Sequence, residues 1–319
     1  MGKDVVLVIG ANGQVGSALI PRLIEIYGNY AVIASDIRPN IDNLSCRFLL
    51  LDATDPKRVY EAVNHYNVTI VYHLAAVLSA NAERSPVAGW DLNIRTVLNV
   101  LEVAKTRRLA KVFIPSSIAV FGPSTAQQEA QQFSYLDPTT VYGISKVATE
   151  NWIFYYNRKH QLDVRSIRYP GVIGSETIPS GGTTDYAVEM FYKGLANDVY
   201  TCYLKADTAL PMIYMEDAIR ATIELMDAPK KDLNIQSSYN VEGISFTPSE
   251  LAQAIKSHIP KLKVYYEPDF RQHIAQSWPC AINDQYAAAD WNWKPNFDLF
   301  NTVKRMIEKV ILELEKKTN

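Results

Sequence analysis

The sequence is short of cysteine, of long apolar runs and of surplus charge, and each shortage excludes a class of protein. Cys46, Cys202 and Cys280 form an odd set without paired spacing, which argues against a disulfide framework or a zinc site and fits a reducing compartment. Each is expected to be a small core residue. The first apolar run, Val5 to Ile9, is far too short to span a bilayer. No signal or transit segment stands before it, so a cytoplasmic protein is expected, although a mitochondrial matrix protein whose presequence had been removed would read the same way. Lys and Arg number 32 against 34 Asp and Glu, a formal charge of -2. That balance supplies no basic field for nucleic acid. A small molecule is the expected partner, with neither nucleic acid nor a membrane. Internal repeats, low-complexity tracts and long flexible linkers are missing too.

What is present is an ordinary globular composition: 319 residues, 48% hydrophobic and 21% charged, enough for one large or two moderate domains. Short β-rich runs at Val5–Ile9, Ala31–Ala34, Phe48–Leu50, Ile70–Tyr72 and Val112–Ile114 read as strands buried on both faces. Between them Val15–Tyr27, Pro56–Tyr66 and Asp91–Arg107 carry apolar residues three and four apart, as helices do. The alternation predicts an α/β fold, a Rossmann-like doubly wound parallel sheet with right-handed crossovers. A helix from about Tyr142 to His160 leads into a strand over Val164–Arg168. After Pro170 the texture changes, and Pro179–Thr184 reads as a loop. The expected division is a first domain over 1–170, to which the chain returns around 207–242 through Met212–Met226, and a smaller C-terminal region over 171–319.

Gly10-Ala11-Asn12-Gly13-Gln14-Val15-Gly16 follows the first strand and opens the first helix. Glycines there let the backbone turn sharply against a pyrophosphate, while the helix start supplies N–H donors and a positive dipole end. Three glycines alone also make ordinary tight turns; their position between strand and helix gives them the nucleotide role. Asn12, Gln14 and Val15 count with Gly10, Gly13 and Gly16 as cofactor contacts. Asp36 closes the second strand about twenty residues beyond Gly16, where a carboxylate accepts from both adenosine ribose hydroxyls and repels a 2′-phosphate. NAD rather than NADP is therefore expected. Ile37 and Arg38 adjoin it; Arg38 can stack on adenine, point to water or pair with that phosphate. Asp52 and Ala53 face the adenine edge, unless Asp52 serves a helix N-cap near Thr54 and Asp55. Leu74-Ala75-Ala76 are small enough for close approach to the cofactor, and Tyr169, Pro170 and Val172 are placed beside it as well. His73 is read as a packed strand-end residue rather than an acid or base.

Tyr142-Gly143-Ile144-Ser145-Lys146 sets a phenol and an ammonium one helical turn apart on one face. A free tyrosine has a pKa near about 10, too high for a base at neutral pH; a nearby ammonium and an oxidised nicotinamide ring both favour the phenolate. Pro115-Ser116-Ser117 ends the fifth strand at the carboxyl edge, where such folds bind ligands. Ser117 is assigned to the substrate oxygen.

The glycine turn, Asp36, Asp52, Leu74-Ala75-Ala76, Asn93, Ser117 and the Tyr142/Lys146 pair resemble the extended short-chain dehydrogenase/reductase family, which includes the nucleotide-sugar 4-epimerases. The resemblance runs from about residue 4 to residue 175. It implies that Ser117, Tyr142 and Lys146 form a catalytic triad, that Lys146 also binds the nicotinamide ribose, and that Asn93 belongs with the cofactor site and supports the helix behind it. A homodimer through the helices after Asn93 and around Tyr142 is implied too.

Three later stretches, Arg168–Ile173, Gly181–Ala187 and Leu210–Thr222, are together similar to the short-chain type of L-threonine 3-dehydrogenase. A nucleotide diphosphate calls for cations, whereas the second stretch offers hydroxyls, backbone N–H groups and one carboxylate. Thr183 and Thr184 can hold a carboxylate and Asp185 an ammonium, as a small zwitterion needs; Asp185 can equally cap the helix beginning near Tyr186. Ser79 is either a further substrate contact or part of a surface loop. Arg168 and Arg220 remain open to phosphates, and Trp278, in Gln276-Ser277-Trp278-Pro279, is read as core or dimer packing, with closure over the site as the alternative. The region 171–319 is therefore expected to be mainly substrate-binding, and the activity to be oxidation of L-threonine to 2-amino-3-oxobutyrate with NAD and with Tyr142 as general base. The alternatives are a nucleotide-sugar 4-epimerase or dehydratase of the same family and a non-catalytic dinucleotide sensor.

Overall fold

Strand β1 (Val6–Ile9) turns Val6 and Val8 toward one apolar layer and Leu7 and Ile9 toward another, with all four side chains buried. A strand of period two does this when helices cover both faces of its sheet. The structure, a computed structural model, describes residues 4–39, 44–177 and 182–318. The chain continues through α1 (Gln14–Tyr27), β2 (Val32–Asp36), β3 (Arg47–Leu50), α2 (Pro56–His65), β4 (Ile70–His73), the short α3 (Ser79–Arg84), α4 (Pro86–Arg107), β5 (Lys111–Phe113), β6 (Ser116–Ser117), β7 (Glu129–Ala130), α5 (Val141–His160) and β8 (Val164–Arg165). Six parallel strands pair in the order β3-β2-β1-β4-β5-β8. The order reverses between β1 and β4, and ligands bind outside the carboxyl ends at such a switch point.

Next come β9 (Ile167–Tyr169), β10 (Gly171–Ile173), α6 (Tyr186–Asn197), β11 (Val199–Cys202), β12 (Leu210–Tyr214), α7 (Met215–Asp227), β13 (Tyr239–Asn240) and β14 (Ile244–Phe246), and the last helix spans Leu299–Thr318. One layer joins Leu19, Ile20 and Leu23 of α1 to Ala218, Ile219 and Leu225 of α7. The other joins Val59 and Val63 of α2, Val97 and Leu101 of α4, and Ile153 and Tyr156 of α5. A third core gathers Phe191, Tyr200, Leu251 and Met306 from the C-terminal region with Ile118 and Phe121 from the turn after β6. Among the described residues no helix is long and apolar enough to cross a membrane.

Two elements differ from the sequence reading. The strand expected over Val164–Arg168 is broken: β8 stays in the six-stranded sheet, whereas β9 pairs with β6 and β13 in another. The buried Arg165 guanidinium anchors the break, donating to the carbonyls of Leu225, Met226 and Ala228 and pairing with Asp163. Helix α4 starts at Pro86, before the expected Asp91, because proline at the first helical position has no N–H left to satisfy.

Gly16 lets α1 press against the first turn, since a Cβ there would lie 2.3 Å from the Gly10 carbonyl oxygen and 2.8 Å from that of Ala11. Gly16→Ala is expected to lower stability by about 1–3 kcal/mol in urea unfolding through this overpacking. A variant as stable as its parent would mean that the helix shifts freely.

Candidate active site

At the end of β1, Gly10 has a φ of +93°, and a Cβ there would lie 2.7 Å from the Ala75 amide nitrogen. Only glycine tolerates both. Helix α1 then begins at Gly13 with no side-chain cap and no acidic residue in its first turn, which leaves its leading N–H groups and positive dipole end for an anion. A cavity of about 530 Å³ runs from this turn across the ends of β2 and β3, lined by Gly10, Gly13, Asp36, Ile37, Arg38, Asp52, Ala53 and the Leu74–Val77 segment.

Asp36 is buried, and its carboxylate accepts from the backbone N–H of Asn12 and of Arg38, each at 3.1 Å. Its remaining lone pairs are available to a ribose. The Arg38 side chain is 60% exposed and its Nε lies 3.6 Å from Asp36 Oδ1. Asn12 donates through Nδ2 to the carbonyls of Arg38 and Pro39, tying the first turn to the end of β2. Asp52 accepts from the Thr54 amide and hydroxyl, bonds that hold its carboxyl below the usual range. The cap of α2 is Asp55 instead, so the capping alternative for Asp52 is replaced by a local turn that keeps it beside the cavity.

A second hollow of about 160 Å³ continues from the first and shares Leu74 and Ala76 with it. Its lining includes Gln14, Val15, Ser117, Tyr142, Lys146, Tyr169, Pro170 and Val172 together with Ser79, Thr183, Thr184, Asp185 and Trp278. Gly143 makes this meeting possible, because a Cβ there would lie 2.1 Å from the Ala119 carbonyl oxygen. Helix α5 thus lies directly on the turn that carries Ser117. Thr140 caps the helix by accepting from the Gly143 N–H at 3.1 Å, and the Tyr142 hydroxyl is hydrogen-bonded to the Ser117 side chain. Lys146 Nζ donates to the Pro115 carbonyl at 2.7 Å and stands 5.6 Å from the centroid of the Tyr142 ring.

Several residues sit otherwise than the sequence suggested. Arg168 is committed to Glu150 and Arg220 to Asp217 and Glu224, so neither is the phosphate cation it was open to being. Asn93 spends its amide on the Val77 backbone and the Ser145 hydroxyl. It props the loop after β4 against α5 and makes no lining of either cavity. Ser79 begins helix α3 and is 5% exposed rather than part of a surface loop, with its hydroxyl 3.5 Å from that of Thr183. Asp185 occupies the cap position of α6 without bonding into the helix; its carboxylate accepts from the Gly182 N–H at 2.8 Å. Gly181 lies outside the described residues. Trp278 packs in the third core and also lines the smaller hollow, so it takes both of the placements the sequence left open, core packing and a position over the site.

In the protein alone, burial sets the charges of the site. Burial pushes the Tyr142 phenol up to about 12, and the Ser117 hydrogen bond only partly opposes it. Burial pushes the Lys146 ammonium down to about 8, with Glu150 opposing. The ammonium faces the tyrosine ring and a carbonyl, so the phenol is not made acidic by Lys146 in the protein alone. His73 is held neutral, its pKa pulled down to about 3 by burial and by the charge of Lys146, and it bonds the Thr96 hydroxyl. It stays a strand-end residue.

The uncapped helix start, the carboxylate at the end of β2 and the small residues after β4 fit a dinucleotide. A model of the NAD dependent epimerase/dehydratase family matches residues 6–241. The chain belongs to that family. It is 40% identical over 309 residues, 96% of each chain, to an uncharacterized epimerase/dehydratase of Staphylococcus aureus strain MRSA252. A holo-form L-threonine dehydrogenase from Cupriavidus necator superposes with a TM-score of 0.94 at 49% identity, covering 96% of this chain and 99% of that one. A monomeric L-threonine 3-dehydrogenase from a metagenome does so with a TM-score of 0.93 at 45% identity, covering 96% and 98%. As a member of the epimerase/dehydratase family, the protein works with a nicotinamide dinucleotide.

The buried lysine has a thermodynamic signature. Its folded pKa of about 8 lies below the ordinary 10.5, so between those values the unfolded chain binds more protons and stability rises with pH. Below about 8 the full cost of burial is present. Lys146→Met is therefore expected to gain up to about 3 kcal/mol at neutral pH, with the gain shrinking as pH rises toward 10.5. Thermal melts of both proteins across that range check it, and a gain independent of pH would contradict the assignment.

Proposed function

We propose that this epimerase/dehydratase family member oxidises L-threonine to 2-amino-3-oxobutyrate with NAD. The observation that carries the reading is the sharing of one small cavity by Ser117 and Tyr142 with Ser79, Thr183, Thr184 and Asp185. At about 160 Å³ it falls below the roughly 300–1,000 Å³ of pockets for larger organic ligands. The hydroxyls and N–H groups of the Gly182–Asp185 turn suit the threonine carboxylate, the Asp185 carboxylate suits its ammonium, and Trp278 offers an apolar wall to its methyl group. The likeness to L-threonine dehydrogenases at 45% and 49% identity supports the same substrate.

In this reading the Gly10–Gly16 turn and the start of α1 hold the pyrophosphate, Asp36 the adenosine ribose, and Lys146 the nicotinamide ribose. The bound oxidised dinucleotide supplies the hydride acceptor and a positive ring charge. That charge favours ionisation of Tyr142, which the protein alone holds protonated. Tyr142 takes the proton of the threonine hydroxyl, Ser117 donates to the same oxygen, and the hydrogen on the carbinol carbon leaves as hydride. Lys146 keeps a positive charge behind the phenol, and Asn93 and Thr140 hold the helix in place.

The family name, shared by the S. aureus relative, favours a nucleotide-sugar epimerase or dehydratase as the second reading. Against it stands the commitment of Arg168 and Arg220 to carboxylates, which leaves a sugar diphosphate without those two partners. A homodimer through α4 and α5 also remains part of the proposal: Val87, Trp90, Ile144, Phe154 and Tyr155 are exposed along those helices, although one similar protein is described as monomeric.

Mixing the protein with L-threonine and NAD should give net NADH absorbance, with NAD clearly preferred to NADP because of Asp36. Tyr142→Phe should lose about 10²–10⁴-fold in kcat while its NAD affinity stays near that of the parent. An epimerase recycles its cofactor and gives no net NADH. Near-normal turnover by the phenylalanine variant would remove Tyr142 from the base role.

A further inference from the structure

Helix α5 carries Tyr142, Lys146 and Glu150 at successive turns of one face. The first two line the smaller cavity; Glu150 lies behind them, 3% exposed, and has had no part in the chemistry so far. Its carboxylate is fully engaged. Oε1 accepts from the Ser116 hydroxyl at 2.6 Å and from Arg168 Nε at 2.8 Å, and Oε2 accepts from Arg168 Nη2 at 2.7 Å. Arg168 is itself fixed, because Nη1 donates to the Gln132 carbonyl at 2.9 Å and to Asn240 Oδ1 at 3.1 Å. Ser116 stands between two residues of the site. Before it is Pro115, whose carbonyl takes the Lys146 ammonium; after it is Ser117, bonded to Tyr142.

We propose that Glu150 is a positioning residue of this centre: its carboxylate locks the strand end that carries Ser117 and supplies the buried negative charge that keeps Lys146 an ammonium. The proposal deepens the functional reading above and rests on its assignment of Tyr142 and Lys146. An ammonium enclosed by protein loses its proton unless an opposite charge lies within reach. The titratable groups acting on or facing Lys146 are Tyr142 and Glu150 from its own helix and His73 from the end of β4. His73 and Tyr142 are neutral in the protein alone, which leaves Glu150 as the anion among them. Arg168, facing Glu150 from β9, takes part of that field and in return fixes the carboxylate to β6. Two requirements meet in one group: the strand end must not move, and the lysine must stay charged.

The test reads Lys146 directly, in protein labelled with ¹³C at lysine Cε, with its resonance assigned by disappearance in Lys146→Met. Glu150→Gln should lower the Lys146 midpoint by roughly one pH unit or more from its parent value of about 8. The alkaline limb of kcat/KM for threonine should move the same way, whereas a purely structural residue would scale the profile without displacing it. Glu150→Asp keeps the charge and should leave the midpoint in place while lowering the rate. Because Glu150→Gln strands a buried guanidinium, the substitution is also made together with Arg168→Met, which removes the opposing charges together and should show a smaller fall in the same direction. An unchanged midpoint in the glutamine variants overturns the proposal, whatever the substrate is. A lowered midpoint in a protein that never oxidises threonine supports this inference and counts against the functional reading alone.

Discussion

A lysine ammonium held inside a protein has to be given its partners by the fold, and the partners of Lys146 determine how the rest of the site is arranged. The side chain is 6% exposed, pinned to the Pro115 carbonyl and directed across the Tyr142 ring. That placement requires α5 to lie against the end of β5 and the strand that follows. It does so because Gly143 leaves room for the Ala119 carbonyl and Thr140 caps the helix at the same point. Removing the methyl-sized gap at Gly143 would push away the phenol, the ammonium and the Ser117 turn together.

The substrate side depends on a different core. The turn from Gly182 to Asp185 is closed by the Asp185 carboxylate and by a hydrogen bond from the Tyr203 hydroxyl to the Gly182 carbonyl, and the Arg271 guanidinium lies over the Tyr203 ring. Tyr203 belongs to the third core, which also contains Trp278 and reaches Ile118 and Ala119 beside Ser117. Packing in the C-terminal region therefore sets where Thr183 and Thr184 line the cavity that Ser117 also lines. Gly171 leaves room for Thr184 there, since a Cβ on it would lie 2.7 Å from the methyl carbon of Thr184. Residues of the two regions are brought to one small volume chiefly by shared apolar burial, with the contact between the Ser79 and Thr183 hydroxyls beside it.

The parts of this arrangement that were legible in the sequence are those fixed by local rules. Val6–Ile9 reads as a buried strand because every residue in it is apolar, and Gly10, Gly13 and Gly16 read as a nucleotide turn because they stand between that strand and a helix. Tyr142 and Lys146 share a helix face by periodicity alone. What escaped depended on partners far along the chain. Nothing near Arg165 announces that three carbonyls at the C-terminal end of α7 will capture it and break a strand, and Arg168 is indistinguishable from a phosphate ligand until Glu150 and Asn240 are seen around it. The sequence shows the neighbouring ammonium, which together with an oxidised nicotinamide ring favours the phenolate, but not the burial that reverses this preference in the protein alone.

That reversal has a chemical use. A phenol pushed up to about 12 is a poor base, and the protein alone gives it no positive neighbour aimed at its oxygen. Charge entering the adjoining groove changes the balance, because a cation beside a low-dielectric oxygen favours the ionised form far more than it would in water. On the proposed reading Tyr142 therefore becomes a base only next to an oxidised pyridine ring and stays a proton donor next to a reduced one. Those are the states that oxidation and its reverse respectively need. The same hydrophobic enclosure that makes Tyr142 unreactive in isolation thus couples its protonation to the redox state of whatever occupies the groove.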